Sequence, residues 1–186
     1  MPSLVFSHTK VREREHLSRL LEEREWFKHE NFPVFLPRNQ ADVQKEIQRK
    51  NELLTGKAAR LQKEWEKIEA EYFGTVGKFH HRKLLSKYIC HVSRFGPEGK
   101  YHKPNMLFIR LRTARDEKQA TETIAHELLH LVFADLFDSK GLNYAEREGM
   151  VDALIIQSNL SYLFPRYQKQ SIGRIRWGLL KSICDM

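Results

Sequence analysis

Residues 119–137 read QATETIAHELLHLVFADLF. The apolar positions Ile124, Leu128, Leu131, Val132 and Leu136 recur at helical spacing, and Ala125, Leu129 and Phe133 flank that stripe. A helix that is apolar around most of its circumference is a buried helix. Set into this one are two imidazoles and a carboxylate, those of His126, Glu127 and His130. Polar groups are costly to bury unless something satisfies them, so this stretch is where the fold and its chemistry are expected to meet.

Upstream, the pattern has period two over 87–112. Tyr88, Cys90 and Val92 share one face, 95–99 form a turn, and Leu107, Ile109 and Leu111 alternate with Phe108 and Arg110, which reads as a small antiparallel sheet. A polar connection over 113–118 then leads to the helix. Earlier, Ile47, Leu54, Ala58, Leu61, Trp65, Ile68 and Tyr72 form one stripe of a long amphipathic helix over 41–73, capped by Asn39. At ~1.5 Å per residue it would be roughly 50 Å long, so Gly56 is expected to mark a bend. A helix over 11–29 and an extended stretch over 31–37, where Pro33 and Pro37 forbid helix, complete the N-terminal side.

Downstream, Gly141 ends a connection, and Asn143 with Glu146 has the form of a capping box opening a helix that runs to Phe164, before Pro165. A last amphipathic segment carries Ile172, Ile175, Leu179 and Ile183. The expected fold class is α+β: N-terminal helices backing a small mixed or antiparallel sheet, a buried helix beneath it, and a cleft between sheet edge and helices. One domain is expected, with an N-terminal extension over 1–40, a core over 41–165 and a C-terminal helical segment over 166–186.

Composition narrows the function classes. The chain has 186 residues, 41% hydrophobic and 30% charged, enough for one sizeable core. Its net charge of +8 raises the question of nucleic acid, but Lys and Arg are spread from Lys10 to Lys181 beside Glu, without a recognisable binding motif, and no specific nucleic-acid partner is expected. No apolar run approaches the ~18 residues of a membrane span, and residues 1–10 lack a signal-peptide layout, so a cytoplasmic location is expected. Cys90 and Cys184 form no metal-type or redox-type pair and are expected to be buried thiols.

Histidines four apart on a helix stand about 6 Å apart at Cβ and can converge on one ion. Glu127 falls beside them, where it can hold and deprotonate a water without ligating. Chance yields such a pentapeptide in a chain of this composition at roughly one in twenty-five, so context decides. A catalytic zinc needs a third ligand and an open position. The following helix offers Glu148, with Asp152 four residues on, placed to orient a ligand histidine. Glu146 is the rival third ligand, but a cap explains it. Tyr144, Arg174 and Arg176 are candidates to stabilise an oxyanion. His80, His81, His91 and His102 are read as solvated or strand-surface histidines.

His126-Glu127-Leu128-Leu129-His130 followed by Glu148-Gly149-Met150-Val151-Asp152 resembles the gluzincin group of zinc metallopeptidases, the thermolysin-like proteins, over roughly residues 105–165. The resemblance implies a zincin-like core with one catalytic Zn2+ on His126, His130 and Glu148, Glu127 as general base then acid, and Asp152 supporting His126. It implies a peptide or protein substrate bound by strand addition, with 105–112 where such a strand would be expected. No histidine follows His130, so the family's oxyanion-assisting histidine has no counterpart. The same absence argues against the metzincins, and a glutamate rather than histidine third ligand separates the chain from the minigluzincins. The small ImmA/IrrE-type regulatory peptidases are another relative to consider. The competing expectation is a non-catalytic or latent regulatory zinc module, its cleft covered by its own termini.

Overall fold

A computed structural model describes the chain apart from residues 31, 50–51, 170–172 and 185–186. It is an α+β structure. Among the described residues the order is β1 (Ser3–Ser7), α1 (Lys10–Glu22), α2 (Arg24–His29), α3 (Gln40–Gln48), α4 (Glu52–Glu66), α5 (Glu69–Val76), β2 (Lys87–Ser93), β3 (Gly99–His102), β4 (Met106–Arg110), α6 (Ala114–Ser139), α7 (Tyr144–Ile156), α8 (Leu160–Leu163) and α9 (Trp177–Cys184). No helix among the described residues is long and apolar enough to cross a membrane.

The sheet is mixed, not antiparallel, with strand order β1-β2-β4-β3. β1 and β4 both run parallel to β2, and only β3 against β4 is antiparallel. Period two fixes which side chains share a face but not the direction of a neighbour, which is why the pattern alone misjudged this. β1 itself was not expected. Leu4 and Phe6 point inward beside Tyr88 and Cys90, so the N-terminal extension supplies an outer strand of the sheet.

Alternation then divides the molecule into layers. Tyr88, Cys90, Val92, Leu107 and Ile109 face the main core, made with α4 to α9 around Trp65, Tyr72, Phe133 and Phe137. The opposite face carries His91, Ser93 and Phe108 and is covered by α1, with a smaller core of Leu17, Leu20, Phe27, Val43 and Ile47 among α1, α2 and α3. Phe35 joins this layer through main-chain bonds to Gly96.

The two sheet edges differ. On β1 the outward N–H groups of Leu4 and Phe6 donate to Glu69 Oε1 (2.7 Å) and Gln62 Oε1 (3.0 Å), and Gln62 Nε2 donates to the Leu4 carbonyl (3.2 Å). On β3, Arg110 N–H donates to the Glu98 carbonyl (3.1 Å), which sets the phase of the ladder. Bonded pairs alternate in an antiparallel ladder, so Lys100 and His102 bond to β4 while the main-chain groups of Gly99 and Tyr101 face outward.

The helix expected over 41–73 is three helices, α3, α4 and α5, and Gly56 lies inside α4, which continues through it. The helix expected to reach Phe164 stops at Ile156, with α8 following after a turn. α6 begins at Ala114, five residues before its expected start, because Thr113 caps it. The Thr113 side chain accepts from Asp116 N, and the Asp116 carboxylate accepts from Thr113 N, Arg112 N and the Arg110 guanidinium. Cys90 is buried, whereas Cys184 is only partly so. Of the last amphipathic stripe, Ile183 is buried on α9, Ile175 precedes that helix, and Ile172 lies outside the described residues, as does Asn31 of the extended stretch.

Candidate metal centre

α6 presents His126, Glu127 and His130, all buried, to the edge of the sheet at β3. α7 lies beside it after a short reversal in which Gly141 adopts φ +61°, and opens with the Asn143–Glu146 capping box. That start places Glu148 and Asp152, both buried, on the face turned to α6. Glu146 is accounted for by its cap and by Arg176 at 3.7 Å, and it takes no part in the cluster.

Three potential ligand side chains converge. His126 Nε2 is 2.9 Å from Glu148 Oε2, His130 Nε2 is 3.3 Å from Glu148 Oε1, and the two Nε2 atoms are 3.0 Å apart. The imidazole rings are 4.8 Å apart and their planes cross at 65°. Ligands on a tetrahedral zinc, at about 2.0–2.1 Å from the ion, stand about 3.3 Å from one another. The donor set and its spacing therefore fit a zinc-sized cation. Burial opposes ionisation of Glu148, but the hydrogen bonds from His126 and His130 outweigh it and hold the carboxyl at about 2. Burial lowers His130, whereas at His126 the Glu148 hydrogen bond overcomes burial and raises it.

Asp152 reaches His126 through a residue that the sequence did not reveal. His126 Nδ1 is 2.6 Å from Tyr167 Oη, which donates to Asp152 Oδ1 at 2.5 Å, while Nδ1 and Oδ1 are 3.6 Å apart. With the Tyr167 proton committed to Asp152, Tyr167 Oη accepts from Nδ1–H, so a cation displacing the Nε2 proton shared with Glu148 would meet the Nε2 lone pair. Tyr167 N–H donates to the Phe164 carbonyl, and further along the chain Arg174 passes close against α7. A Cβ on Gly149 would stand 2.3 Å from the Arg174 main chain, and Arg174 N–H donates to the Ala145 carbonyl.

Glu127 does not join the three donors. Burial pushes its carboxyl up to about 7, with Glu148 adding to this and His126 opposing it. Its place depends on β3, since a Cβ on Gly99 would lie 2.7 Å from Glu127 Cγ and Oε1. Two residues on, Tyr101 stacks on His130, rings 5.0 Å apart and inclined by 9°. Tyr144 lines the same cavity as His126, Glu127 and Glu148, its phenol raised by burial and by both glutamates. Arg174 and Arg176 do not line it. The cavity volume is about 1580 Å³, bounded on one side by α6, α7 and 166–169 and on the other by α1, α2 and β3.

One further group combines the same residue types. His8, Glu13 and His91 lie together between the sheet and α1, contrary to the reading of His91 as a surface histidine. The period-two rule put His91 on a polar face, and α1 covers that face. His91 Nε2 donates to Glu13 Oε2 (2.8 Å), Ser93 Oγ donates to Glu13 Oε1 (2.9 Å), and His8 Nδ1 donates to the Val92 carbonyl (2.8 Å). The rings of His8 and His91 are stacked, 5.2 Å apart and inclined by 24°, and one potential ligand atom of each of the three residues lies within 4.8 Å of the others.

Comparison of the chain with protein-family models, with curated proteins and with solved structures yields no match.

Proposed function

We propose that this protein is a metal-dependent peptidase of zincin-like architecture, with His126, His130 and Glu148 holding a single zinc ion. The observation that carries the reading is the meeting of three buried side chains, the two Nε2 atoms 3.0 Å apart and each 2.9–3.3 Å from one Glu148 oxygen, beside a carboxyl poised near neutrality. When bound, zinc supplies Lewis-acid polarisation of a carbonyl oxygen and lowers the pKa of water. Glu127, with a carboxyl at about 7, takes a proton from water attacking the carbonyl carbon and returns it to the leaving amine. Tyr167 and Asp152 fix the tautomer and orientation of His126. Tyr144, in the wall of the same cavity, is the candidate donor to the oxygen that gains charge.

The substrate class follows from the edge of the sheet. β4, within 105–112, is hydrogen-bonded on both sides, by β2 and by β3, and has no edge to offer. The outward groups of Gly99 and Tyr101 on β3 are the ones an extended polypeptide would pair with, and Gly99 abuts Glu127.

Zinc-supplemented protein is expected to cleave casein, and the Glu127→Gln variant to bind zinc equally without cleaving. Full activity in that variant would exclude the mechanism. A latent regulatory module is favoured only by the contribution of 166–169 to the cavity wall. Since Tyr167 from that segment holds His126, removing the segment would disturb the centre as well as uncover it, and point variants separate the readings more cleanly than truncation.

A further inference from the structure

The faces of β3 look toward different surroundings. Gly99 and Tyr101 face α6, against Glu127 and His130. Lys100 faces the other layer, paired with Glu23 and 5.7 Å above the Phe27 ring. In that layer Trp26 is 51% exposed on a helix that otherwise shows charge to solvent, with its ring 5.1 Å from Phe27 and 6.0 Å from Phe32. Trp26, Phe27, Phe32 and Pro33 line the same continuous cavity as His126, Glu127 and Glu148. At about 1580 Å³ that cavity exceeds the roughly 300–1,000 Å³ of small-molecule pockets and suits a polypeptide segment.

We infer that Trp26, Phe27 and Phe32 form a specificity subsite for a large apolar side chain of an extended polypeptide paired to β3. The inference rests on the peptidase reading for its scissile bond, though not for its binding. A strand added to an edge projects alternate side chains to opposite faces of the sheet. One set then points to α6, where Glu127 and the metal ligands lie, and the intervening set points to the aromatic layer. The selected residue stands on the face opposite α6, in a fixed register with the bond presented to Glu127. Exposure of Trp26 gives it free surface to contribute, while buried Phe27 and half-buried Phe32 form the floor. The N-terminal helices thus act as the wall that chooses the substrate.

The test uses two ten-residue fluorescein-labelled peptides of Gly, Ser and Ala, one bearing a single central Leu and the other Ser in its place. Zinc-loaded Glu127→Gln protein is titrated with each and read by anisotropy. The Leu peptide is expected to bind about tenfold more tightly, as burial of one such side chain allows. Trp26→Ser is expected to bring it down to the level of the Ser peptide, and Trp26→Phe to keep most of the preference. A urea midpoint for each variant establishes that the fold is retained. Equal binding of the two peptides, no binding of either, or a preference that survives Trp26→Ser overturns the inference. In parallel, wild-type protein is incubated with peptides in which Leu is walked along the chain. Cleavage at a constant separation from Leu supports the subsite; cleavage indifferent to Leu overturns it and leaves hydrolysis standing. Selective binding without any cleavage retains the subsite and removes the peptidase reading.

Discussion

Two clusters of histidine and glutamate lie on opposite faces of one four-stranded sheet, and their side-chain types are the same. In His126, His130 and Glu148 the imidazole planes cross at 65°, the two Nε2 atoms are 3.0 Å apart, and each faces one oxygen of the carboxylate. In His8, Glu13 and His91 the imidazoles are stacked at 24°, and the carboxylate is satisfied by one imidazole N–H and one hydroxyl. In the first arrangement the two Nε2 atoms stand 3.0 Å apart and share the Glu148 carboxylate, a spacing that a cation could bridge. In the second each oxygen of the carboxylate is already matched with a donor. Residue type alone therefore does not distinguish the two clusters; the placement of the ring nitrogens and the count of available protons do.

That contrast can be broken at several points. Glu127→Gln is expected to lower turnover by about 10²–10⁴-fold, the range of general acid–base catalysis, with one zinc per chain retained. Glu148→Ala is expected to weaken zinc binding by more than the ~100-fold upper range for residues that only support a ligand. Metal analysis showing unchanged affinity would remove the three-donor assignment. Tyr167→Phe sits within that supporting range, at about 10–100-fold, because His126 loses the acceptor that fixes its tautomer. Competition with a fluorescent chelator measures both.

The opposite cluster should answer differently. Glu13→Ala is expected to leave zinc content at one per chain and to cost about 1–3 kcal/mol in urea unfolding, the cost of leaving His91 and Ser93 without their acceptor. Two zinc ions in the wild-type chain and one in this variant would overturn the distinction. The smallest effect is in pH. Burial, with His8 and Arg12 adding and Glu15 opposing, pushes His91 down to about 3; burial, opposed by Glu13 and the Phe95 carbonyl, pushes His16 down to about 4. Ordinary histidines in the unfolded chain take up protons below about 6.5, which these two refuse when folded, so their contribution is full above that value and declines as pH falls toward 4 and then 3. Glu13, raised by burial, opposes the trend by binding its proton more readily in the folded chain. The urea midpoint should fall between pH 7.5 and 5, and His91→Gln should flatten the fall. A wild-type midpoint that does not move over that interval would contradict the assignment.

What the sequence made legible is local. The buried character of α6, the capping box before α7 and the shared face of Tyr88, Cys90 and Val92 all follow from spacing within one element, and Glu148 is brought to the two histidines as its helix offset requires. What stayed hidden depends on distant segments. β1 is five residues whose partner lies some eighty positions away, and nothing in Ser3–Ser7 specifies a parallel neighbour. The burial of His91 comes from α1 covering a face that alternation marks as polar. Tyr167 stands in a polar stretch with no pattern of its own, and its partners His126 and Asp152 lie on two earlier helices. The start of α6 was the exception, since Thr113 and Asp116 carry the capping signal in plain order.

The unequal edges of the sheet bear on how the molecule behaves in a crowd of its own copies. Growth of a β-assembly needs an open edge on each side of every unit, one to attach by and one to extend from. Here β1 is closed by Gln62 and Glu69, while β3 is four residues long, carries Lys100 and is followed by Lys103 and Pro104. With one edge closed, a strand added at β3, as proposed above, would end the sheet there and would not make the protein the seed of a fibre.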